Sequence, residues 1–69
     1  MLNEKRKAAA RAAIETKLSR ISASTMTIAA CQGITDHLID TGESAGSAIE
    51  KAYYFGGKLI SAGMSMCKA

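Results

Sequence analysis

SAGSAIEKAYYFGGKLISAGMSMC, residues 44–67, is the stretch on which the rest of the chain depends. Advanced at about 100° per residue, it places Ile49, Ala52, Tyr53, Phe55, Leu59, Ile60, Met64, Met66 and Cys67 on one side of a helix. Glu50, Lys51, Tyr54, Lys58, Ser61, Ser65 and Lys68 take the other side. A row without bulk (Ala45, Ala52, Gly56, Gly63) runs down the apolar side between ridges that include Ile49, Ile60, Phe55 and Leu59. Such a groove suits a second helix at close range. Ala45, Ala52, Gly56, Gly63, Ile49, Leu59 and Ile60 are therefore the expected helix–helix interface.

Working outward, Thr41-Gly42 precedes this stretch and marks the end of an earlier helix, because glycine is the usual residue just past a helix C-terminus. The third helix is expected to start at Ser44 or at Ser47, the latter forming a capping box with Glu50. A second helix, about residues 25–40, shows a broad apolar face of Ile28, Ala30, Cys31, Ile34, Thr35, Leu38 and Ile39. Met26, like Met64 and Met66, reads as filler of core gaps. A first helix follows the N-cap candidate Asn3 and runs over about 4–22, with a narrow arc of Ala10, Ile14, Leu18 and Ile21 opposite Ala8, Ala9, Ala12 and Ala13. Residues 22–25 read Ser-Ala-Ser-Thr, with capping residues but no Gly or Pro. They allow either a break, giving three helices, or one long rod, giving a two-helix hairpin.

The chain has 69 residues, no proline, no tryptophan and no valine, which favours helix over strand. The expected fold is all-α, a single helical domain forming a small three-helix bundle or a long two-helix hairpin. A domain this small buries only about 60% of its unfolded surface, and the usual supports are disulfides, a metal, regular helix packing or oligomerisation. Two cysteines and one histidine are too few for a structural zinc site, so neither metal nor cofactor is expected. The charge-free span Ile21–Thr35 is too short and too rich in Ser and Thr to cross a membrane. A soluble cytoplasmic protein with reduced cysteines is the expectation.

The net charge of +3 is ordered along the chain. Residues 1–20 carry six basic and two acidic side chains, residues 21–50 carry Asp36, Asp40, Glu43 and Glu50 with no Lys or Arg, and Lys51, Lys58 and Lys68 follow. Lys5, Arg6 and Lys7 stand at the positive end of one helix dipole, and Asp36 and Asp40 at the negative end of another, both unfavourable placements. Antiparallel packing of the two helices brings the clusters together, within one chain or between two.

Lys5, Arg6, Lys7, Arg11, Tyr54 and Lys58 are the candidate partner contacts. The basic residues favour nucleic acid as an alternative partner, although Lys5, Arg6, Lys7, Arg11, Lys17 and Arg20 surround most of the helix instead of forming a stripe. Ala29, Gly33 and Ile39 resemble the spacing of a helix-turn-helix, but Asp36, Asp40 and Glu43 would meet the phosphates with the wrong sign. Asp36, His37 and Asp40 share one turn and read as a polar helix surface, not a metal or acid–base site. No phosphate loop and no nucleophile with a base is visible, so an enzyme is not expected. The favoured function is a non-catalytic protein–protein interaction module, a regulator, inhibitor or adaptor that self-associates as a homodimer or larger assembly through a small-residue helix face. If the row in the third helix is used internally, the alanines of the first are the expected inter-chain surface. A small basic nucleic-acid-binding protein comes second, and a peripheral membrane-binding peptide third.

Overall fold

A computed structural model describes residues 2–62. It contains three helices, α1 (Leu2–Arg20), α2 (Thr25–Asp40) and α3 (Ala45–Ser61), packed as a small all-α bundle in which each helix touches the other two. The hairpin alternative is thereby excluded. Gly63, Met64, Met66 and Cys67 lie outside the described residues.

Both turns use one device. At the end of α1 the Ala23 N–H donates to the Leu18 carbonyl (3.0 Å) and the Ser22 N–H to the Ser19 carbonyl (3.1 Å). At the end of α2 the Glu43 N–H donates to Leu38 (2.9 Å) and the Gly42 N–H to Ile39 (3.1 Å). These are the paired bonds of a Schellman motif, which needs a left-handed residue just past the helix. Gly42 supplies it at φ 107° and Ser22 at φ 64°. The first break falls where it was expected, within residues 22–25, with a serine doing glycine's work there. Two residues later Ser24 and Ser44 cap the next helices, their hydroxyl oxygens accepting from the N–H groups of Thr27 and Ser47 at 3.1 Å. Ser47 is thus the third residue of α3 and not its cap, and its hydroxyl donates to Glu43 (2.6 Å) in place of a capping box with Glu50.

The core is a set of columns with a stride of four. Ala10, Ile14 and Leu18 are buried on α1, Thr27, Cys31, Thr35 and Ile39 on α2, and Ala48, Ala52 and Gly56 on α3. A four-residue stride follows a single ridge of the helix surface, so each helix buries a narrow strip. Ala10 clusters with Ala48 and Ile39, and Ile14, Leu18, Cys31 and Ala52 form a second cluster. A Cβ on Gly56 would meet Leu18 and Cys31. The α1 and α3 members of these pairs keep a constant offset, so the two helices run parallel, with α2 antiparallel between them. The register stacks three layers: Ala10 with Ile39 and Ala48, Ile14 with Thr35 and Ala52, Leu18 with Cys31 and Gly56. Each layer holds one branched aliphatic and two smaller residues, which lets the helices close without voids. The buried Thr35 hydroxyl donates to the Cys31 carbonyl (2.8 Å), as a polar group inside a core requires.

Of the row expected on α3, Ala52 and Gly56 are buried in the bundle and Ala45 packs against the Ala10–Ile39–Ala48 cluster. The true column continues to Ala48, while Ala45 is half-buried at its edge. Phe55, expected on a covered ridge, is 43% exposed, and Met26, expected to fill the core, is 80% exposed. Gly33 lies in mid-α2 with no turn near it, which disposes of the helix-turn-helix spacing.

Candidate interaction surfaces

The seam between α1 and α2 is electrostatic. Arg11 holds Asp36 through two nitrogens, Nε at 3.0 Å from both carboxylate oxygens and Nη2 at 2.7 Å from Oδ2. Lys7 reaches Asp40 at 3.0 Å, and Gln32 donates across the same seam to the Arg11 carbonyl (3.3 Å). Four residues forward on α1 match four backward on α2, as antiparallel helices demand. The hydrogen bond to Asp40 raises the Lys7 pKa above its ordinary value, and that to Asp36 raises Arg11's. Lys7 and Asp40, each disfavoured by its own helix dipole, are therefore one another's partners. At the second turn, Lys51 pairs with Glu43 at 3.1 Å.

Lys7 and Arg11 are consequently engaged inside the chain, and the remaining cations of α1 are rearranged in meaning. Lys5, Arg6, Lys17 and Arg20 fall within an arc of about 120° at 100° per residue, on the side of α1 away from α2. Glu4 and Glu15 lie outside it. The cations that ring the helix in sequence thus become a stripe once two are removed. Between its ends stand Ala9, Ala12 and Thr16, all exposed, and the Thr16 hydroxyl is turned back to the Ala12 carbonyl (3.0 Å). Arg6 is half-buried, with a buried Nε that has no hydrogen-bond partner among the described residues.

On α3 the expected interface residues divide. Ala52 and Gly56 are fully inside the monomer, while Ile49, Leu59 and Ile60 are half-buried beside them. Ala52 and Gly56 of the small row are therefore used within the chain. Tyr53 packs against the core with Lys17 over its ring at 5.5 Å. Tyr54 is 66% exposed, with the Lys58 ammonium 5.2 Å from its ring centroid. A concavity is lined by Tyr53, Tyr54, Gly57, Lys58 and Ser61 of α3 and by Ala62 just past its end.

The remaining surface was not singled out in the sequence. Met26 and Ala30 of α2 and Leu59 of α3 border a depression of about 180 Å³ floored by Thr27, with Phe55 one turn before Leu59. The legible signal was position: Met26 and Phe55 stand at the edges of their apolar faces, where a third helix does not reach.

Asp36 and Asp40 are occupied by Arg11 and Lys7, His37 is exposed, and no group of three metal-ligating side chains gathers among the described residues. Among those residues no helix is long and apolar enough to cross a membrane. No family model, curated protein or solved structure matches this chain.

Proposed function

We propose that this chain is a non-catalytic helical interaction module that self-associates and acts by covering a surface of another protein, as small regulators, inhibitors and adaptors do. The observation that carries this is the exposure of Met26 and Phe55 on a bundle whose core layers each hold one branched aliphatic. Apolar area left in water forgoes roughly 25 cal/mol per Å², and a domain this small has little core with which to offset that. Ala52 and Gly56 are filled by their own bundle, which favours a surface other than these two residues for association. A reducing, cytoplasmic setting suits Cys31, a buried thiol whose pKa burial pushes up. Light scattering over a hundredfold dilution tests the proposal. A mass above 7.2 kDa that falls on dilution is expected, and a constant 7.2 kDa would overturn self-association.

Nucleic-acid binding is the second reading, supported by the arc of Lys5, Arg6, Lys17 and Arg20. It predicts binding to a duplex or single-stranded oligonucleotide that weakens steeply with salt. Binding that ignores salt, or none at low salt, removes it. A membrane surface is less favoured, because alanines between the cations offer little apolar area to insert.

A further inference from the structure

The basic arc of α1 and the outer face of α3 meet at one contact. Lys17 of the arc crosses to α3 and lies over the Tyr53 ring at 5.5 Å, while Lys58 lies over the Tyr54 ring at 5.2 Å. Between the two rings opens the concavity, about 750 Å³ in volume and bordered at its far end by Ser61 and Ala62. Gly57, one turn beyond both tyrosines, forms its floor, with nothing within 4 Å of where a Cβ would stand. The missing side chain leaves room between the rings. Tyr54 is 66% exposed although a lysine lies over it, so most of the ring is open to a flat ligand.

The charge around this concavity is predominantly of one sign. In the parallel register of α1 and α3, which sets Leu18 beside Gly56, Arg20 stands level with Lys58. Lys17, Arg20 and Lys58 make no ion pair among the described residues, whereas Lys7, Arg11 and Lys51 are held by Asp40, Asp36 and Glu43. Arg6, further along the same side of α1, has a buried Nε without a hydrogen-bond partner among those residues. Glu50, one turn before the tyrosines, is the carboxylate nearest to them in sequence, and the three cations outnumber it. Such a patch complements an anion that also carries flat rings. Nucleic acid is that anion, since its phosphates meet cations and its bases stack on aromatic side chains. A duplex keeps its base faces stacked on one another, so only a single strand can use the tyrosines. An acidic peptide would satisfy the lysines and leave Tyr54 and the space over Gly57 unused.

We propose that the α1/α3 face binds single-stranded nucleic acid, with a base stacked on Tyr54 over Gly57 and the flanking phosphates on Lys17, Arg20 and Lys58. This rests on the nucleic-acid reading above, and the test separates the two ideas. Fluorescence anisotropy of the full chain is followed over a salt series with a labelled oligothymidylate of about 15 nucleotides, with a duplex of the same length, and with polyglutamate as competitor. Circular dichroism monitors helicity in every variant. Wild type should bind the single strand more tightly than the duplex. Tyr54→Ala should weaken that binding about tenfold with its salt slope unchanged, and Tyr54→Phe, which keeps the ring, should bind as wild type. Gly57→Leu should block the site and keep the fold, because nothing stands near its Cβ. Lys17→Gln should instead lower the salt slope, by about 0.7. No binding to either oligonucleotide at low salt overturns the nucleic-acid reading, and this site with it. A duplex bound as tightly as the single strand, with Tyr54→Ala and Gly57→Leu without effect, overturns the stacking site alone and leaves a basic surface. Displacement by polyglutamate at equal charge concentration overturns it in favour of an acidic protein.

Discussion

A Cβ placed on Gly56 would lie 2.8 Å from Cδ2 of Leu18 and 3.1 Å from Sγ of Cys31. The backbone of α3 therefore comes close to its neighbours where the layer already holds a leucine and a cysteine. Gly56→Leu should lower stability by about 1 to 3 kcal/mol through overpacking. Gly56→Ala gains about 1 kcal/mol of helix propensity but pushes on the end of Leu18 and on the Cys31 sulfur, so it should fall near zero. Gly33→Ala and Gly57→Ala meet nothing within 4 Å and should each add about 0.5 to 1 kcal/mol. Urea unfolding ranks the four. A Gly56→Leu midpoint equal to wild type would refute the layer.

The two left-handed turn residues make a matched pair with opposite expectations. Ser22 at φ 64° holds a conformation that side chains other than glycine adopt at a cost, so Ser22→Gly should raise stability by about 0.5 to 1 kcal/mol. Gly42 at φ 107° gives the reverse, and Gly42→Ala should lower it by about 1 kcal/mol. Thermal melts of both variants check the sign. A destabilised Ser22→Gly chain would show that the serine side chain has another role at that turn.

Helix content, the Gly42 turn and the α1–α2 charge pairing were legible in the sequence for local reasons: propensity, a glycine past a helix end, and two charge clusters each misplaced for its own dipole. The break at residues 22–25 was legible from its capping residues, but the left-handed turn at Ser22 was not, because serine does not advertise that conformation. Ala48 was passed over in favour of Ala45, since a helical wheel fixes the centre of an apolar face but not its pitch along the bundle. That same ambiguity put Phe55 and Met26 inside. Each helix of a three-helix bundle has two neighbours, and residues at the edge of an apolar face are covered or bare according to which side the neighbours take. The depression bordered by Met26, Ala30 and Leu59 is built from such residues, so it became visible only once the helices were packed.

Acid should act through the second turn. Glu43 has a folded pKa below its ordinary 4.5, first because the Ser47 hydroxyl donates to it and then because of Lys51. A carboxylate with a depressed folded pKa contributes stability that is present above the ordinary value and is lost as pH falls through the folded one. Ser47→Ala removes the leading cause, so the midpoint of the acid transition should move to higher pH. Melts taken at steps from about pH 6 to 2 measure it, and an unshifted acid limb in Ser47→Ala would count against the bond. On the alkaline side, Lys7 has a raised folded pKa. Its contribution holds below the ordinary 10.5 and is lost as pH rises through the folded value.

The ion pairs of the α1–α2 seam offer a way to tell a structural charge from a functional one. Asp36→Arg alone faces Arg11 with a like charge, and Arg11→Asp alone faces Asp36 with another, so each should lower the melting temperature. The double swap restores an opposite pair across the same antiparallel register and should recover part of the loss, with a coupling that shrinks as salt rises. A cycle with no coupling would mean that the bidentate geometry adds nothing in solution. The swap also bears on function, because it reverses Arg11 and leaves Lys5, Arg6, Lys17 and Arg20 untouched. If an anionic partner uses the outer arc of α1, the swapped chain should bind it as wild type does. If Arg11 itself is a partner contact, the swapped chain should fold normally and bind worse. A refolded swap that loses salt-dependent binding would therefore return Arg11 from the seam to the interaction surface.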